Sequence, residues 1–383
     1  MRILFVTATY LPTINGVSYQ INILKKGLEK LGHKVFILAP SFPGYKDSDK
    51  TVFRYPSFPN PVSKKYPVGI PLLTPGDLRK IKPDVIHTHH PFAIGQAAKI
   101  ISSLLRIPLL FTAHTRYEEY LREYFPHGKK LTSKLLRSSI KSFCQKCHTV
   151  ICPSQDVKKR FGEMGIENLA VVNNSIEADF FHLPIDKSIK NPTLVYTGRL
   201  EKEKNLMFLI TIAVELKKVI PNFRLLILGD GALRNILSRK IAQTKLQNNV
   251  SLLGSIDRNH LHTIYESAHI FITPSLTEVM PLSIIEAMAS GLPVLALEKS
   301  RLEDVVIGEK TGFLLPKSAK IISKKVEYLF NNPDVLNNLA KGAHKHSLNF
   351  SIDTKSKQLE GLYKAAISDR KDKYKSRARP KSI

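Results

Sequence analysis

A chain of 383 residues exceeds one ordinary core, and with 43 % hydrophobic residues and no apolar run near the about eighteen that cross a bilayer, two folded soluble domains are expected. Fifty-eight Lys and Arg against thirty-two Asp and Glu give a formal charge of +26, which points to an anionic partner, nucleic acid or acidic lipid, unless it is only a solvated surface. Three cysteines cannot all pair within one chain, which argues against a disulfide framework.

The opening Met1-Arg-Ile-Leu-Phe-Val-Thr lacks the length and cleavage site of a signal peptide and reads as a buried strand, so a cytoplasmic protein is expected. Apolar runs at 3–7, 34–39, 84–87, 108–112, 149–152 and 169–172 read as strands, with helical patterns such as 17–31 and 93–105 between them. That alternation predicts a parallel sheet covered by helices.

Several loops of this first unit carry candidate chemistry. In Thr9-Tyr-Leu-Pro12-Thr-Ile-Asn15-Gly16-Val17, Asn15 or Gly16 allows a tight turn, and the helix start offers N–H groups to an anion. Asp47-Ser-Asp49 sits in a polar loop and reads as solvated rather than as a metal pair. His87-Thr-His89-His90-Pro and Thr112-Ala-His114-Thr-Arg116-Tyr-Glu-Glu-Tyr leave strand ends. Their spacing gives no convincing zinc set, and His114 reads as a neutral donor or proton carrier facing the second domain. Residues 128–146 alternate Lys129, Lys130, Lys134, Arg137, Lys141 and Lys146 with Leu131, Leu135, Leu136, Ile140 and Phe143. This is either a membrane-surface helix or a packing helix with a solvated basic face. Cys144-Gln-Lys-Cys147-His148 has the spacing of c-type haem attachment. Without an export signal, and running into the strand at 149–152, haem is not expected, and Cys152 completes no zinc site.

The pattern then pauses and restarts, giving boundaries of 1–174 for the first domain, 175–192 for a linker, 193–350 for the second domain, 351–368 for a closing helix and 369–383 for a disordered basic tail. In the second domain, strands are expected at 193–197, 223–229, 250–252, 270–273 and 293–297, and helices at 206–219 and 282–290. The fold class is α/β, two doubly wound Rossmann-like domains in tandem facing across a cleft, where ligands are expected.

Two constellations dominate the second domain. Tyr196-Thr-Gly198-Arg199-Leu-Glu-Lys-Glu-Lys204-Asn205 follows a strand, and its two cations can reach a diphosphate, though a solvated charge run looks similar. Pro274-Ser-Leu-Thr-Glu278-Val-Met-Pro-Leu282-Ser-Ile-Ile-Glu286 crosses from strand to helix. Its two carboxylates suit sugar and ribose hydroxyls, or else are one capping and one surface glutamate. Gly229-Asp-Gly231 is a further turn after a strand and lacks the third glycine of a dinucleotide fingerprint.

The glutamates eight positions apart, followed by Ala-Met-Ala-Ser-Gly-Leu-Pro, the Gly-Arg-Leu…Lys-Asn segment and the Asn-Gly-Val loop together resemble glycosyltransferase family 4 over nearly the whole chain. The resemblance implies a GT-B fold and a retaining transferase with no cofactor and no obligatory metal. Arg199 and Lys204 would neutralise the diphosphate, Gly16 would contact it by backbone, Glu278 would hold the donor sugar, Glu286 the ribose, and His114 the reacting sugar. Gly198, Gly229, Asn15, Pro274 and Leu282 complete the expected binding set. Val279 stands where the family usually has glycine, and Ser175 departs in the same way at the linker. The segment from His87 to Tyr120 looks most like the diacylglycerol glucosyltransferases and related lipid glycosyltransferases. The expected reaction is hexosyl transfer, with glucose from UDP-glucose, to a membrane lipid such as diacylglycerol at the inner face of the cell membrane. A mannosyl- or other hexosyltransferase of surface glycans is the alternative. A nucleic-acid-binding protein is the rival of another class, opposed by the lack of any nucleic-acid motif.

Overall fold

The computed structural model describes residues 1–58, 67–69, 71, 73–114, 129–177, 191–276 and 278–378. The chain divides into two units, Met1–Ser175 with Ile352–Ile383, and Ile176–Ser351.

In the first unit, β1 (Arg2–Val6), β2 (Lys34–Pro40), β3 (Val52–Tyr55), β6 (Val85–Thr88), β7 (Leu109–Thr112), β8 (Thr149–Cys152) and β9 (Leu169–Val171) form one sheet in the order β3-β2-β1-β6-β7-β8-β9. Every ladder is parallel; Ile3, for example, pairs with Val35 on one side and Val85 on the other. A short antiparallel pair, β4 (Ser57–Phe58) and β5 (Val68–Gly69), lies apart from it. Ile3 to Val6 are all fully buried, as an unbroken apolar strand requires when helices cover both faces. The chain winds outward from β1 to β3, then returns to the other side of β1 as β6. Strand order therefore reverses between β1 and β6, and loops leaving their carboxyl ends border a crevice.

The second unit repeats the scheme with β10 (Thr193–Thr197), β11 (Arg224–Leu228), β12 (Val250–Gly254), β13 (Ile270–Thr273), β14 (Val294–Leu297) and β15 (Gly312–Leu315), in the order β12-β11-β10-β13-β14-β15. Leu209, Ile210 and Ala213 of the helix Leu206–Val219 share one buried cluster with Val326 and Leu329 of the helix Ala319–Asn331. Ile284, Ile285 and Met288 share another with Val305 and Ala343. The reversal falls between β10 and β13.

Two expectations need correction. The closing helix runs over Ile352–Ala378, past the start of the tail expected to be disordered. Lys and Arg are good helix formers, and no Gly or Pro follows Gly361 until Pro380, so nothing in the tail stops the helix earlier. Asp47 is not solvated, whereas Asp49, its side chain 40 % exposed, is. Asp47 bonds Arg54 on β3 at 2.7 Å, with side chains 12 % and 17 % exposed, and Asp49 meets Lys25 at 3.1 Å. Arg54 also donates to the Leu11 carbonyl at 2.7 Å, so this ion pair anchors the loop after β1. Of the two readings left open for residues 128–146, the packing helix accounts for Ile140 and Phe143 of the helix Lys129–Cys144, which are buried, Phe143 edge-on to Phe111 of β7.

Candidate active site

β10 and β13 are neighbours at the reversal of the second unit. The loop after β10 carries Gly198, Arg199 and a 3-10 turn, Lys202–Lys204, and the loop after β13 runs from Pro274 to Pro281. Between them lies an open cavity of about 120 Å³. Gly198, Arg199, Lys204 and Glu278 line it, joined by Ser283 and by Thr197 and Thr273, which the sequence reading passed over.

Lys204 Nζ meets Glu278 Oε1 at 2.7 Å, with side chains only 16 % and 12 % exposed. Taking two charges out of water is costly unless each answers the other, so the pair holds both groups in fixed positions. Asn205, in the left-handed region at φ 55, sends Nδ2 to the Pro274 carbonyl at 3.0 Å and ties the two loops together. Pro274 is thereby committed to loop geometry. Arg199 is held differently: it is 69 % exposed and paired with Glu203 at 2.8 Å. An exposed pair is worth about 0–1 kcal/mol, so the guanidinium can exchange Glu203 for an anionic ligand at little cost.

The helix Leu282–Ala289 starts at Pro281 with no side-chain cap, and Pro281, Ser283 and Ile284 line the cavity. Its first N–H groups and the positive end of its dipole suit an anion there. Leu282 opens this helix, and Glu286 lies one turn into it, 2 % exposed; neither lines the cavity. Glu278 and Glu286 are both buried and no side chain caps the helix, so neither is a surface or a capping glutamate. Gly229, at φ 122, packs so closely on Gly198 that a Cβ would run into the Gly198 carbonyl oxygen, which commits it to the contact between loops. The hydroxyls of Thr197 and Ser275 are buried without a partner among the described residues, the kind of defect a ligand or water answers.

Two cations, a fixed carboxylate and an uncapped helix start at the mouth of a doubly wound sheet suit a phosphorylated sugar. Residues 14–180 match the family model Glycosyltransferase Family 4, and residues 177–346 match Glycosyl transferases group 1.

The chain belongs to the family 4 glycosyltransferases.

The alpha-monoglucosyldiacylglycerol synthase of Acholeplasma laidlawii is 29 % identical to this glycosyltransferase, over 95 % of this chain and 96 % of that protein. The synthase of the same name from Streptococcus pneumoniae is 27 % identical over 88 % and 80 %. The sucrose-phosphate synthase structure from Thermosynechococcus elongatus matches with a TM-score of 0.75 at 18 % identity, covering 96 % of this chain and 100 % of that one. The fold is GT-B, two doubly wound units in one chain.

At the reversal of the glycosyltransferase's first unit, Asn15 caps the helix Gly16–Lys30, its Oδ1 accepting from the N–H groups of Val17 and Ser18. Those two N–H groups are thus already used, contrary to expectation. The loop needs no left-handed residue either: Asn15 is extended and Gly16 is not at positive φ. A Cβ on Gly16 would meet nothing within 4 Å, so its backbone borders open space. His87, His89, His90 and His114 gather at the ends of β6 and β7. His89 Nδ1 lies 2.8 Å from His114 Nε2, and their rings stack at 5.1 Å. Burial pushes His87 and His114 down to about 3 and His90 to about 4, which favours the neutral-donor reading of His114 over the proton carrier. Among the described residues no three His, Cys, Asp or Glu are placed to hold a metal ion. Arg116 to Tyr120 lie outside the described residues. Cys144, Cys147 and Cys152 are buried, and burial raises all three thiols, Cys144 and Cys152 to about 12, so they serve packing. No helix among the described residues is long and apolar enough to cross a membrane.

Proposed function

We propose that the enzyme moves a glucosyl group from UDP-glucose to diacylglycerol, with retention at the anomeric carbon and without a divalent metal. The observation that carries the chemistry is the Lys204–Glu278 pair beside an uncapped helix start. As the bond from the sugar to the diphosphate breaks, negative charge gathers on the leaving group and positive charge on the ring. Lys204, Arg199 and the helix N–H groups stabilise the first. Glu278 stabilises the second and accepts from sugar hydroxyls, with the ribose assigned to Glu286. Preorganised charges of this kind supply what a metal supplies elsewhere. His114 is assigned to the transferred sugar. The lipid acceptor rests on the two relatives named for monoglucosyldiacylglycerol synthesis.

Docking at the inner membrane face draws on the helix Lys129–Cys144. Its exposed Lys134 and Arg137 suit anionic headgroups, at about 1 kcal/mol per charge near the surface. Since Ile140 and Phe143 are buried, apolar contact falls to Leu135, 62 % exposed, and to Ile100 and Leu104 on the helix Ala93–Leu105, 57 % and 75 % exposed.

The test is incubation with UDP-glucose, UDP-galactose or GDP-mannose and diacylglycerol vesicles, reading product mass and anomeric configuration. An α-glucosyl lipid formed from UDP-glucose alone is expected. A β-linked product removes retention, and a mannolipid removes the donor. Binding to vesicles is expected to rise with anionic lipid and to fall on K134E/R137E; equal binding overturns the docking surface.

A further inference from the structure

The histidines at the mouth of the first unit form an ordered stack. His87 Nδ1 meets the Tyr363 hydroxyl at 2.7 Å, and its Nε2 meets Thr112 Oγ1 at 2.7 Å, so both nitrogens are answered. His87 and His89 lie ring against ring at 4.4 Å, and Phe5 stands edge-on to both. Each ring is thus held in place by its neighbours. His89 is fully buried; its Nδ1 is answered by His114, and its Nε2 has no partner among the described residues.

We propose that His89 is a positioning residue that fixes His114 as the Nδ1–H tautomer, so that His114 offers the substrate a hydrogen-bond donor at Nδ1 and no acceptor there. The contact between the two rings contains one proton. If His114 donated it from Nε2, His89 would accept at Nδ1 and carry its own proton on Nε2. That places an N–H in the dry interior with nothing to receive it. If His89 donates from Nδ1, its Nε2 is left as a bare lone pair. A stranded donor is the rarer and costlier defect, so the second arrangement prevails. His114 then accepts at Nε2 and keeps its proton on Nδ1, for which no described residue is an acceptor. Burial holds both rings well below the ordinary histidine range, so neither carries two protons at neutral pH.

A donor-only Nδ1 matches an oxygen: a hydroxyl of the hexose or of the glycerol lipid. It cannot take a proton from the attacking hydroxyl. The proposal rests on the reading in which His114 meets the transferred sugar, and it names the atom, Nδ1, through which the neutral donor acts.

The test uses the full chain labelled with nitrogen isotope in histidine, with long-range proton–nitrogen correlation reading each ring tautomer. Protonated Nδ1 and bare Nε2 are expected in both His89 and His114. A protonated Nε2 on His114 overturns the proposal. Substitution adds a second reading. His89→Asn keeps an amide donor near the place of Nδ1, and His89→Leu removes it. Loss of a partner that orients a working side chain typically costs about 10–100-fold. His89→Leu is expected to lose kcat on that scale with donor KM little changed, and to release the His114 tautomer; His89→Asn is expected to restore most of the rate. Equal rates in the Leu variant with an unchanged tautomer count against the proposal. If His114→Ala transfers normally while the tautomers are as expected, the role of His114 in the reaction fails and the positioning by His89 stands.

Discussion

At the reversal between β10 and β13, the second unit places a lysine–glutamate pair 2.7 Å apart beside an uncapped helix. At the reversal between β1 and β6, the first unit places four imidazoles, and the adjoining helix is capped by Asn15. The strand order around the two positions is the same. One mouth therefore keeps formal charge, because each ion has a partner, while the other keeps neutral dipoles, because burial disfavours the charged form of its imidazoles. The shared fold fixes where a ligand meets the sheet; the residues in the loops decide whether it meets charge or a neutral donor.

The comparison is most exposed at Lys204. In the proposed mechanism Lys204→Ala removes a charge from the leaving group and leaves Glu278 without this partner, so kcat should fall by about 30–1000-fold, equivalent to about 2–4 kcal/mol of transition-state stabilisation. Steady-state transfer assays read this, and a loss below threefold would remove the charged mouth from the mechanism. Gly229→Ala tests the frame of that mouth. It places a Cβ against the Gly198 carbonyl at φ 122, so unfolding free energy should drop by about 1–3 kcal/mol, measured by denaturant titration.

The neutral mouth makes a pH prediction. Histidines whose folded values are about 3 to 4 take up protons sooner in the unfolded chain, near the ordinary 6.5. Stability should be level above that value and decline as pH falls below it, by about 1.4 kcal/mol per pH unit for each histidine involved. Equal unfolding free energies at pH 7 and pH 5 would show that the imidazoles are not kept neutral by the fold. The smallest expected effect is on chelation. EDTA should leave the transfer rate within about twofold if, as proposed, fixed cations act on the diphosphate; complete loss restored by Mg²⁺ would break that half of the comparison.

The alternation of short apolar runs and amphipathic stretches made the two doubly wound units legible, and the loops at strand ends located Gly198, Arg199, Lys204 and Glu278. These residues lie close to strands whose pattern is plain, so local spacing placed them. The Asp47–Arg54 pair was not legible, because Arg54 stands on β3, an edge strand with too short an apolar run to notice. The burial of Ile140 and Phe143 was hidden for another reason. A helix with basic and apolar faces looks the same whether its apolar face meets lipid or Phe111, and only the packing partner decides. The hydrogen bond from Tyr363 to His87 spans 276 positions, beyond any local pattern.

The return of the helix Ile352–Ala378 to the first unit sets an order of assembly. During synthesis the second unit, Ile176–Ser351, emerges whole and can close its own sheet while the first still lacks its last helix. Until that helix emerges, Glu360 is missing beneath His33 and Tyr363 beside His87. The unit made first on the ribosome is therefore the last to be finished, and a chain stalled just after Ser351 would carry a complete second sheet and an unfinished histidine stack.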